Sequence, residues 1–524
     1  MENVLDKETI NIEQSKIYYQ QVINFPNMSN LLSYVFDRTS SYINQIKKSQ
    51  RKKYGQFFTD KNIAHYMANL VKTCETTVKI LDPGAGSGIL SAAIMDKLKN
   101  NNNTNNIEIT LYENDKNILP LLYSNMEYCK KQLEQKGILL KYKVIEDNFI
   151  LANENAWNNE QSQNEEYDIV ISNPPYMKIP ANSPEANIMK KIVYGQPNLY
   201  FLFMAMAAKL TKNNGENIFI VPRSFASGLY FSAFRKWYFK NTNLNNIHIF
   251  NSRNNVFKSD KVLQETIIIR SIKTVLNSFD INISVSEDSS NISNSLNFVV
   301  RNDLCLNNNI LFIPSSKEDV SILKFVQKWT SNLLKNGFKA KTGQVVDFRE
   351  KELLTDNKNS ETIPLLWAYN FEGNKITFPK YVKNKPQFLL NNKLSKRLQI
   401  HNENYLLVKR FTAKEERKRI QCALLNKTDF ERYEYISAEN HLNFISKECG
   451  KTSNAELKGL FILFNSNIID TYFRLFNGST QVNAGDLNQI PLPSLSDIVN
   501  LSIFYSDKSL SSRVCDKILF EYFP

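Results

Sequence analysis

The sequence predicts an α/β protein whose first half forms an open sheet that binds its ligands where strands end. Short apolar runs alternate with helical patterns between residues 61 and 272, and one run leads through a glycine-rich turn into a helix. Another run, 167–172, stops at two consecutive prolines, which supply no backbone N–H and therefore end a strand. Ligands of open α/β sheets bind at the carboxyl ends of such strands.

Length, charge and cysteine usage limit the class of protein. The chain has 524 residues, enough for two or three domains, and a net charge of +13 that favours a polyanionic partner. Its six cysteines are scattered without a C-x-x-C pair, which argues for free thiols in a reducing cytosol and against a metal site. The first residues lack a signal-peptide pattern and the longest apolar run, 199–210, is too short to span a bilayer. We therefore expect a cytoplasmic protein with no membrane partner.

The chain opens with a predicted helical segment over residues 1–50, followed by a basic run. Phe57, Phe58 and Thr59 come next and precede a helix predicted over 61–73, for which Thr59 or Asp60 is a suitable N-cap. Without further information, this segment indicates core aromatic residues before a capped amphipathic helix.

The first strand, 78–82, ends at Asp82 and leads into a glycine turn. The turn consists of Pro83, Gly84, Ala85, Gly86, Ser87 and Gly88 and precedes a helix predicted over 89–98. Glycines let a ligand approach the backbone, and the start of the new helix offers free N–H groups to a carboxylate. A dinucleotide site would need G-x-G-x-x-G, whereas this turn has G-x-G-x-G.

Acidic and amide side chains follow the next two predicted strands. Glu113 and Asn114 follow the strand 107–112, and an acid in this position can accept both hydroxyls of a ribose. Asp147, Asn148 and Phe149 follow the strand 140–145. Acidic residues at strand ends are common on protein surfaces. Asp147 is a candidate only because it follows its strand at the expected position in the chain ahead of the tetrapeptide 173–176.

The tetrapeptide Asn173-Pro174-Pro175-Tyr176 follows the strand that stops at the prolines. The Asn173 side-chain oxygen and the Pro174 carbonyl can accept hydrogen bonds, while Tyr176 offers a flat apolar face. Such a site suits a planar group bearing NH2, because two acceptors pulling on its hydrogens make the nitrogen a better nucleophile. The competing interpretation is a proline-rich turn after a core strand.

Taken in order, these segments resemble the motifs of gamma-class N6-adenine DNA methyltransferases of type II restriction-modification systems. The order is motif X at 55–60, I at 81–88, II at 113, III at 147–149, IV at 173–176 and VIII at 255–258. The resemblance implies a Rossmann-like, class I S-adenosylmethionine-dependent methyltransferase domain over 51–275. It also implies an α+β target-recognition domain over 296–524, after a Ser- and Asn-rich boundary at 277–295.

The resemblance implies S-adenosylmethionine as the cofactor. The residues it assigns to the cofactor are Phe57, Phe58, Thr59, Asp82, Pro83, Gly84, Ala85, Gly86, Gly88, Glu113, Asn114, Asp147, Asn148, Phe149 and Asn173. Among them Asp82 is expected to meet the methionine ammonium, Glu113 the ribose and Asp147 the adenine. Asp60 stands where the family usually has proline, and because Asp caps the same turn we expect little change.

The same resemblance implies that an adenine is flipped out of double-stranded DNA and stacked between Tyr176 and Phe257. It assigns catalysis to the tetrapeptide 173–176, in which Asn173 and Pro174 bind the N6 of that adenine and Pro175 and Tyr176 complete the site. The alternative for Phe257 is a core position. Basic residues of the C-terminal region are the candidates for DNA contacts: Lys341, Arg349, Lys409, Arg410, Lys414, Arg417, Lys418 and Arg419.

Several alternatives stay open. Other NPPY methyltransferases modify protein glutamine or guanine N2 of RNA, but they usually lack so long a basic C-terminal region. Cytosine N4 is a further target, although Ser before PPY is its commoner mark. A DNA-binding module without turnover is disfavoured by the intact Asp82, Glu113 and Asn173. A separate specificity partner is disfavoured by the long C-terminal region, whereas a cognate restriction endonuclease acting separately stays an option.

Overall fold

The chain forms two compact units in the computed structural model, which describes residues 30–45, 58–159, 166–251, 265–274, 280–307, 309–413, 415–479, 481–506 and 510–524. Unit 1 takes the described residues up to Phe225 and those of Leu229–Ile310, and unit 2 takes Ala226–Gly228 and those of Leu311–Pro524.

Unit 1 is built on a nine-stranded mixed sheet. Its strands are β1 (Thr77–Asp82), β2 (Asn106–Tyr112), β3 (Leu139–Ile145), β4 (Tyr167–Ser172), β5 (Thr211–Pro222), β6 (Asn243–Phe250), β7 (Thr266–Ile272), β8 (Ile281–Ser286) and β9 (Leu296–Val300). Their order across the sheet is β3-β2-β1-β4-β5-β7-β6-β8-β9. The first five run parallel, and β7 is antiparallel to both of its neighbours. This sheet confirms the predicted α/β fold class and the strand arrangement of a Rossmann-like, class I methyltransferase domain.

Helices cover the sheet, and those near residues 61, 89 and 199 lie where the sequence pattern predicts them. They are α1 (Leu31–Gln45), α2 (Lys61–Asn69), α3 (Ile89–Leu98), α4 (Leu119–Glu134), α5 (Phe149–Ala152), α6 (Glu154–Asn158), α7 (Pro184–Ile188), α8 (Leu199–Leu210) and α9 (Ser232–Asn241). The apolar run at 199–210 is α8, a helix buried on nearly every side within unit 1. Across the described parts of the chain, no helix combines the length and apolar character that a membrane crossing requires.

The helix α2 begins and ends for identifiable reasons. Asp60 is its N-cap, with an extended backbone and a side chain that accepts a hydrogen bond from Asn62 N at 2.9 Å. The helix stops at Asn69, short of the predicted residue 73. Beyond it, the backbone N–H groups of Lys72 and Thr73 donate to the buried carboxylate of Glu216 at 2.9 and 2.6 Å. Capture by this carboxylate on β5 replaces the last predicted helical turn.

The sheet of unit 1 continues past residue 275, where the sequence places the end of the catalytic domain. β8 pairs in parallel with β6, and β9 pairs antiparallel with β8 and ends at Val300. The polar residues between β8 and β9 form a short turn rather than a linker, because the Asp288 side chain caps it by accepting from Ser290 N at 2.9 Å.

Unit 2 mixes short strands with helices. A four-stranded sheet has the order β12 (Phe338–Thr342), β22 (Leu442–Lys447), β19 (Tyr405–Lys409) and β20 (Cys422–Leu425). A five-stranded sheet has the order β13 (Leu354–Thr355), β17 (Phe388–Leu390), β14 (Thr362–Leu366), β21 (Tyr435–Ala438) and β18 (Gln399–His401). Two small hairpins are β10 (Leu306–Asn307) with β11 (Ile310–Leu311), at the junction of the units, and β15 (Phe371–Glu372) with β16 (Lys375–Ile376). The remaining helices are α10 (Asn302–Cys305) in unit 1 and α11 (Lys317–Gln327), α12 (Asn454–Phe464), α13 (Asn467–Phe476), α14 (Ala484–Gln489), α15 (Leu495–Leu501) and α16 (Ser512–Tyr522) in unit 2.

Candidate functional site

A cavity of about 280 Å³ lies in unit 1 at the carboxyl ends of β1 to β4. The sequence-predicted residues that line it are Phe58, Thr59, Pro83, Gly84, Ala85, Gly86, Glu113, Asn114, Asp147, Asn148, Phe149, Asn173 and Pro175. Segments that are more than a hundred residues apart in the chain therefore line the same cavity. Parallel strands produce this convergence, because their carboxyl ends meet at one edge of the sheet.

The glycine turn after β1 needs glycine at two positions. Gly86 and Gly88 have φ of 55° and 87°, a left-handed backbone that side chains disfavour. A Cβ on Gly88 would also lie 2.8 Å from the terminal methyl carbon of Met126. Ala85 N donates to the Tyr112 carbonyl at 3.0 Å, which ties the turn to the end of β2. The turn is therefore fixed before any ligand arrives.

Asp82 is buried behind this turn and does not itself line the cavity. Its side chain is 1% exposed, and Oδ2 accepts a hydrogen bond from the Ser91 hydroxyl at 2.7 Å. Oδ1 is buried and accepts no well-formed hydrogen bond from the described residues. Burial raises the pKa of Asp82 to about 7, although the Ser91 hydroxyl and the nearby Gly84 backbone N–H work in the opposite direction. A cationic donor reaching Oδ1 would stabilise the ionised carboxylate.

Glu113 connects β2 to the glycine turn. Its Oε2 accepts from Gly86 N at 2.9 Å and its Oε1 from Asp115 N at 2.8 Å. Burial raises the pKa of this carboxyl above its ordinary value. Each carboxylate oxygen has capacity for a further donor, so Glu113 can hold the turn and still accept from a ligand hydroxyl.

The three residues after β3 differ in their exposure to the cavity. Asp147 is exposed at the cavity, whereas Asn148 caps α5 by accepting from Ile150 N at 3.0 Å. Phe149 is 1% exposed, with its ring edge-on to Tyr112 at a centroid distance of 5.0 Å. Most of the Phe149 ring is thus committed to the core, and only a small part of it faces the cavity.

The tetrapeptide after β4 is held by contacts on both sides. Asn173 Nδ2 donates to the Thr59 hydroxyl at 3.2 Å, which joins the segment before α2 to the end of β4. This bond uses the donor side of the amide, so it does not consume the acceptor side. Pro174 is buried, and Pro175 lines the cavity.

Tyr176 is anchored to the sheet rather than placed along the cavity wall. Its hydroxyl donates to the Ile220 carbonyl on β5 at 2.8 Å, and its ring is edge-on to Tyr200 at 6.2 Å between centroids. Burial holds the pKa of this phenol well above its usual range, so it stays a hydrogen-bond donor at physiological pH. Phe57 and Phe257 lie outside the described residues.

The structure adds cavity residues that sequence reasoning missed. They are Ser87, Ile89, Leu90, Tyr112, Met177, Ile179, Glu185, Leu199 and Phe203. Glu185 is the most consequential of these, because its Oε1 accepts from Asn148 Nδ2 at 2.9 Å at the cavity wall. It belongs to the loop after the tetrapeptide, which the sequence marks only as polar. No motif or periodicity in that loop could have identified it.

Among the basic residues proposed from sequence, three are exposed on unit 2: Lys341, Arg349 and Arg417. Lys409 and Arg410 are partly buried. The Lys409 ammonium lies 5.3 Å from the centre of the Phe371 ring, and its half-buried position at the end of β19 lowers its pKa. Arg410 donates to the Asn440 carbonyl and to Gln481 Oε1, both at 3.1 Å.

Two of the proposed basic residues have internal roles, which corrects the expectation that they contact DNA. Arg419 is 1% exposed and donates to the Ser479 carbonyl at 3.0 Å, so it cannot reach a ligand on the surface. Lys418 Nζ donates to the Asn465 carbonyl at 2.6 Å and to the Ser512 hydroxyl at 3.1 Å. Both side chains satisfy buried backbone or polar groups of unit 2. Lys414 lies outside the described residues.

Comparison with known proteins places this chain in a family. Residues 5–257 match the Eco57I restriction-modification methylase family. The chain is 33% identical over 462 residues to the type II methyltransferase M.PstI of Providencia stuartii, covering 87% of this chain and 90% of that protein. It is 32% identical over 485 residues to the type II methyltransferase M.BsuBI of Bacillus subtilis, covering 90% and 94%. A solved structure of the type IIL restriction-modification enzyme MmeI in complex with DNA aligns at a TM-score of 0.49 and 11% identity, covering 93% of this chain and 74% of that one. The chain therefore belongs to the family of type II restriction-modification methyltransferases, and its residues 5–257 match the Eco57I methylase domain.

Proposed function

We propose that this protein transfers a methyl group from S-adenosylmethionine to N6 of an adenine in double-stranded DNA, as the modification enzyme of a restriction-modification system. The observation that carries the proposal is the position of Asn173 and Pro175 in the same cavity as the glycine turn. The cavity therefore combines a tetrapeptide suited to holding an amine with a glycine turn suited to binding the carboxylate of an amino acid. Membership of a type II methyltransferase family supports the same reaction.

The residues around the cavity fit the cofactor. The buried Asp82 Oδ1 accepts no well-formed hydrogen bond from the described residues, and a ligand ammonium would supply one. The glycine turn would hold the carboxylate, Glu113 the ribose hydroxyls, and Asp147 the adenine amine. Thr59 and Phe58 also line the cavity. S-adenosylmethionine, when bound, supplies an electrophilic methyl group on a positively charged sulfur.

The tetrapeptide would act on the target amine by positioning it. Asn173 Oδ1 and the Pro174 carbonyl accept its hydrogens, which concentrates electron density on the nitrogen and fixes its direction. The Thr59 hydroxyl holds the Asn173 amide in place at 3.2 Å. An adenine inside a duplex cannot reach this cavity, so the base must leave the stack. Its proposed stacking partners are Phe257 and Tyr176, which stands in the chain between the cavity residues Pro175 and Met177.

Unit 2 would supply the contacts to DNA. Lys341, Arg349 and Arg417 are exposed, and Arg410 presents a guanidinium already held by Gln481. Contacts of this type to phosphates make affinity fall steeply with salt, and bidentate arginine contacts to base edges add sequence preference.

The test is to incubate the purified protein with S-adenosylmethionine labelled in its methyl group and with unmethylated bacterial DNA, and then to digest the DNA to nucleosides. We expect the label in N6-methyladenine. Label in N4-methylcytosine would keep the chemistry and change the base. Label on RNA or protein, with none on DNA, would contradict the proposed substrate.

Cofactor affinity should depend on pH through Asp82. The pKa of this carboxyl is raised to about 7, so below that pH it is increasingly protonated and cannot pair with the ligand ammonium. We expect the dissociation constant of S-adenosylmethionine to rise by up to about tenfold for each unit below pH 7. Isothermal titration calorimetry between about pH 5.5 and pH 7.5, where the ligand amine stays charged, measures it.

The matched control for this pH dependence is Asp82→Asn, which removes the titrating group at almost constant volume. That variant should bind the cofactor weakly at every pH in the range. A wild-type affinity that does not change with pH would exclude Asp82 as the partner of the ammonium.

A further inference from the structure

The loop between β4 and α8, residues 177–198, carries an exposed aromatic feature that the reaction described above does not use. Tyr194 of this loop and Tyr230 are 53% and 58% exposed, and their ring centroids are 6.2 Å apart with an interplanar angle of 56°. We call these two residues the tyrosine pair. Large aromatic side chains exposed together are uncommon on a folded surface and indicate a binding function.

The tyrosine pair is held in place by backbone rather than left loose. Gly195 has φ of 68°, and a Cβ at this position would lie 2.4 Å from Cε1 of Tyr230. The Tyr230 ring therefore lies directly against the backbone of the loop, where only glycine leaves room. Such close packing fixes the Tyr230 ring while one of its sides stays in solvent.

Contiguous aromatic packing links the tyrosine pair to the tetrapeptide. Phe231, next to Tyr230, lies 6.0 Å from the Tyr200 ring, and Tyr200 lies 6.2 Å from the Tyr176 ring. The base of the loop is part of the cavity wall, through Met177 and Ile179. The same loop thus contributes to the cavity at its base and exposes an aromatic ring beyond it.

The charge of this loop favours a polyanion. It contains three lysines, Lys178, Lys190 and Lys191, all exposed, and a single acid, Glu185. Glu185 is turned to the cavity wall, where it accepts a hydrogen bond from Asn148 at 2.9 Å. Two exposed lysines, Lys190 and Lys191, thus precede the exposed Tyr194 by four and three residues in the chain.

We propose that the tyrosine pair stacks on an unpaired DNA base outside the cavity, while Lys190 and Lys191 contact the neighbouring phosphates. The inference rests on the proposed function, because a base that leaves a duplex for the cavity leaves a second base without its partner. Aromatic side chains hold such bases by stacking, worth about 1–3 kcal/mol per base, without regard to sequence. The arrangement of an exposed aromatic pair flanked by lysines is the one used for unpaired strands.

The test compares three variants with the wild type: the double variant Tyr194→Ala/Tyr230→Ala, the double variant Tyr194→Phe/Tyr230→Phe, and the control Leu229→Ala, which alters the adjacent exposed apolar residue. Two fluorescein-labelled probes of equal length are used, an oligothymidylate and an abasic oligomer that has the same phosphates and no bases. Fluorescence anisotropy at one fixed salt concentration gives each dissociation constant.

We expect the double alanine variant to lose roughly 5- to 100-fold in affinity for the oligothymidylate and to bind the abasic oligomer as the wild type does. The double phenylalanine variant keeps the ring faces and should retain most of the affinity, and Leu229→Ala should change neither probe. Equal losses on the two probes, or no loss on either, would overturn the proposal. If the double alanine variant does not fold, the single variants Tyr194→Ala and Tyr230→Ala are measured on the same two probes, and stacking requires at least one of them to lose affinity for the oligothymidylate alone.

Methyl transfer by the wild type to bacterial DNA and, separately, to bacterial RNA is measured in parallel and separates this inference from the proposed function. If DNA is methylated but the double alanine variant binds both probes as the wild type does, only the stacking role is rejected. If only RNA is methylated and the double alanine variant loses affinity for the oligothymidylate alone, the DNA substrate is rejected and the stacking of a nucleobase on the tyrosine pair is kept.

Discussion

Asn173→Ala is expected to lower the rate of methyl transfer by roughly 100- to 1,000-fold or more, because it removes one of the two acceptors that we propose hold the reacting amine. Cofactor affinity should change little, since the glycine turn and Glu113 hold each other through the 2.9 Å bond between Gly86 N and Glu113 Oε2. Single-turnover transfer to DNA gives the rate, and calorimetry with S-adenosylmethionine gives the affinity.

The control for this substitution is Asn187→Ala, which removes an exposed asparagine side chain from the loop after the tetrapeptide. Its side chain donates within the loop, to the Asn182 carbonyl at 3.2 Å, so transfer should stay near the wild-type rate. Equal losses of transfer and of cofactor affinity in Asn173→Ala would indicate that Asn173 supports the pocket through Thr59 and does not act on the amine.

Gly343→Ala is expected to lower the free energy of unfolding of unit 2 by about 3 kcal/mol. A Cβ on Gly343 would lie 2.2 Å from the Glu439 carbonyl oxygen and 2.6 Å from that of Ala438, and backbone cannot move aside as a side chain can. The segment is also tied by Gly343 N, which donates to the Leu442 carbonyl at 2.8 Å. Relief of the clash must therefore move the residue after β12 away from the end of β21.

Chemical denaturation followed by circular dichroism measures this loss, and Gly485→Ala is its matched control. A Cβ on Gly485, in the first turn of α14, meets no atom within 4 Å, and alanine favours a helix. Gly343→Ala should also weaken binding to DNA and leave cofactor affinity unchanged. Equal stability of the two variants would mean that the contact between Gly343 and Glu439 is not close in solution.

Local sequence patterns predict most of the catalytic sheet. The strand Tyr167–Ser172 and the helix Ile89–Leu98 have the predicted bounds, because apolar runs ending at Pro174 or beginning after Gly88 are set by local backbone chemistry. Other strands are longer than their apolar runs predict: the run at 218–222 predicts a strand, but β5 begins at Thr211, in a polar stretch whose strand conformation comes from pairing with β4 and β7. Register with neighbours, which a single sequence does not display, decides such extensions.

The side-chain environment was predicted less well than the backbone. Arg419 lies in a run of charges that resembles a surface segment, yet Asp470 accepts from the backbone N–H of Arg419 at 2.7 Å and the side chain is buried. Glu185 contributes to the cavity only because the loop after β4 folds back on Asn148. In both cases the partner is distant in sequence, so local composition could not reveal the contact.

The strand order of unit 1 has a consequence for synthesis. β1 to β5 can pair with one another as soon as they leave the ribosome, and they carry the residues of the cavity. β6 lies between β7 and β8, both of which are made later. Until β7 emerges, the apolar edge of β5 at Ile218–Val221 stays open, and an unpaired apolar edge promotes aggregation. A nascent chain that stalls after Phe250 would thus have the residues that line the cavity in place and still be at its most vulnerable to misassembly.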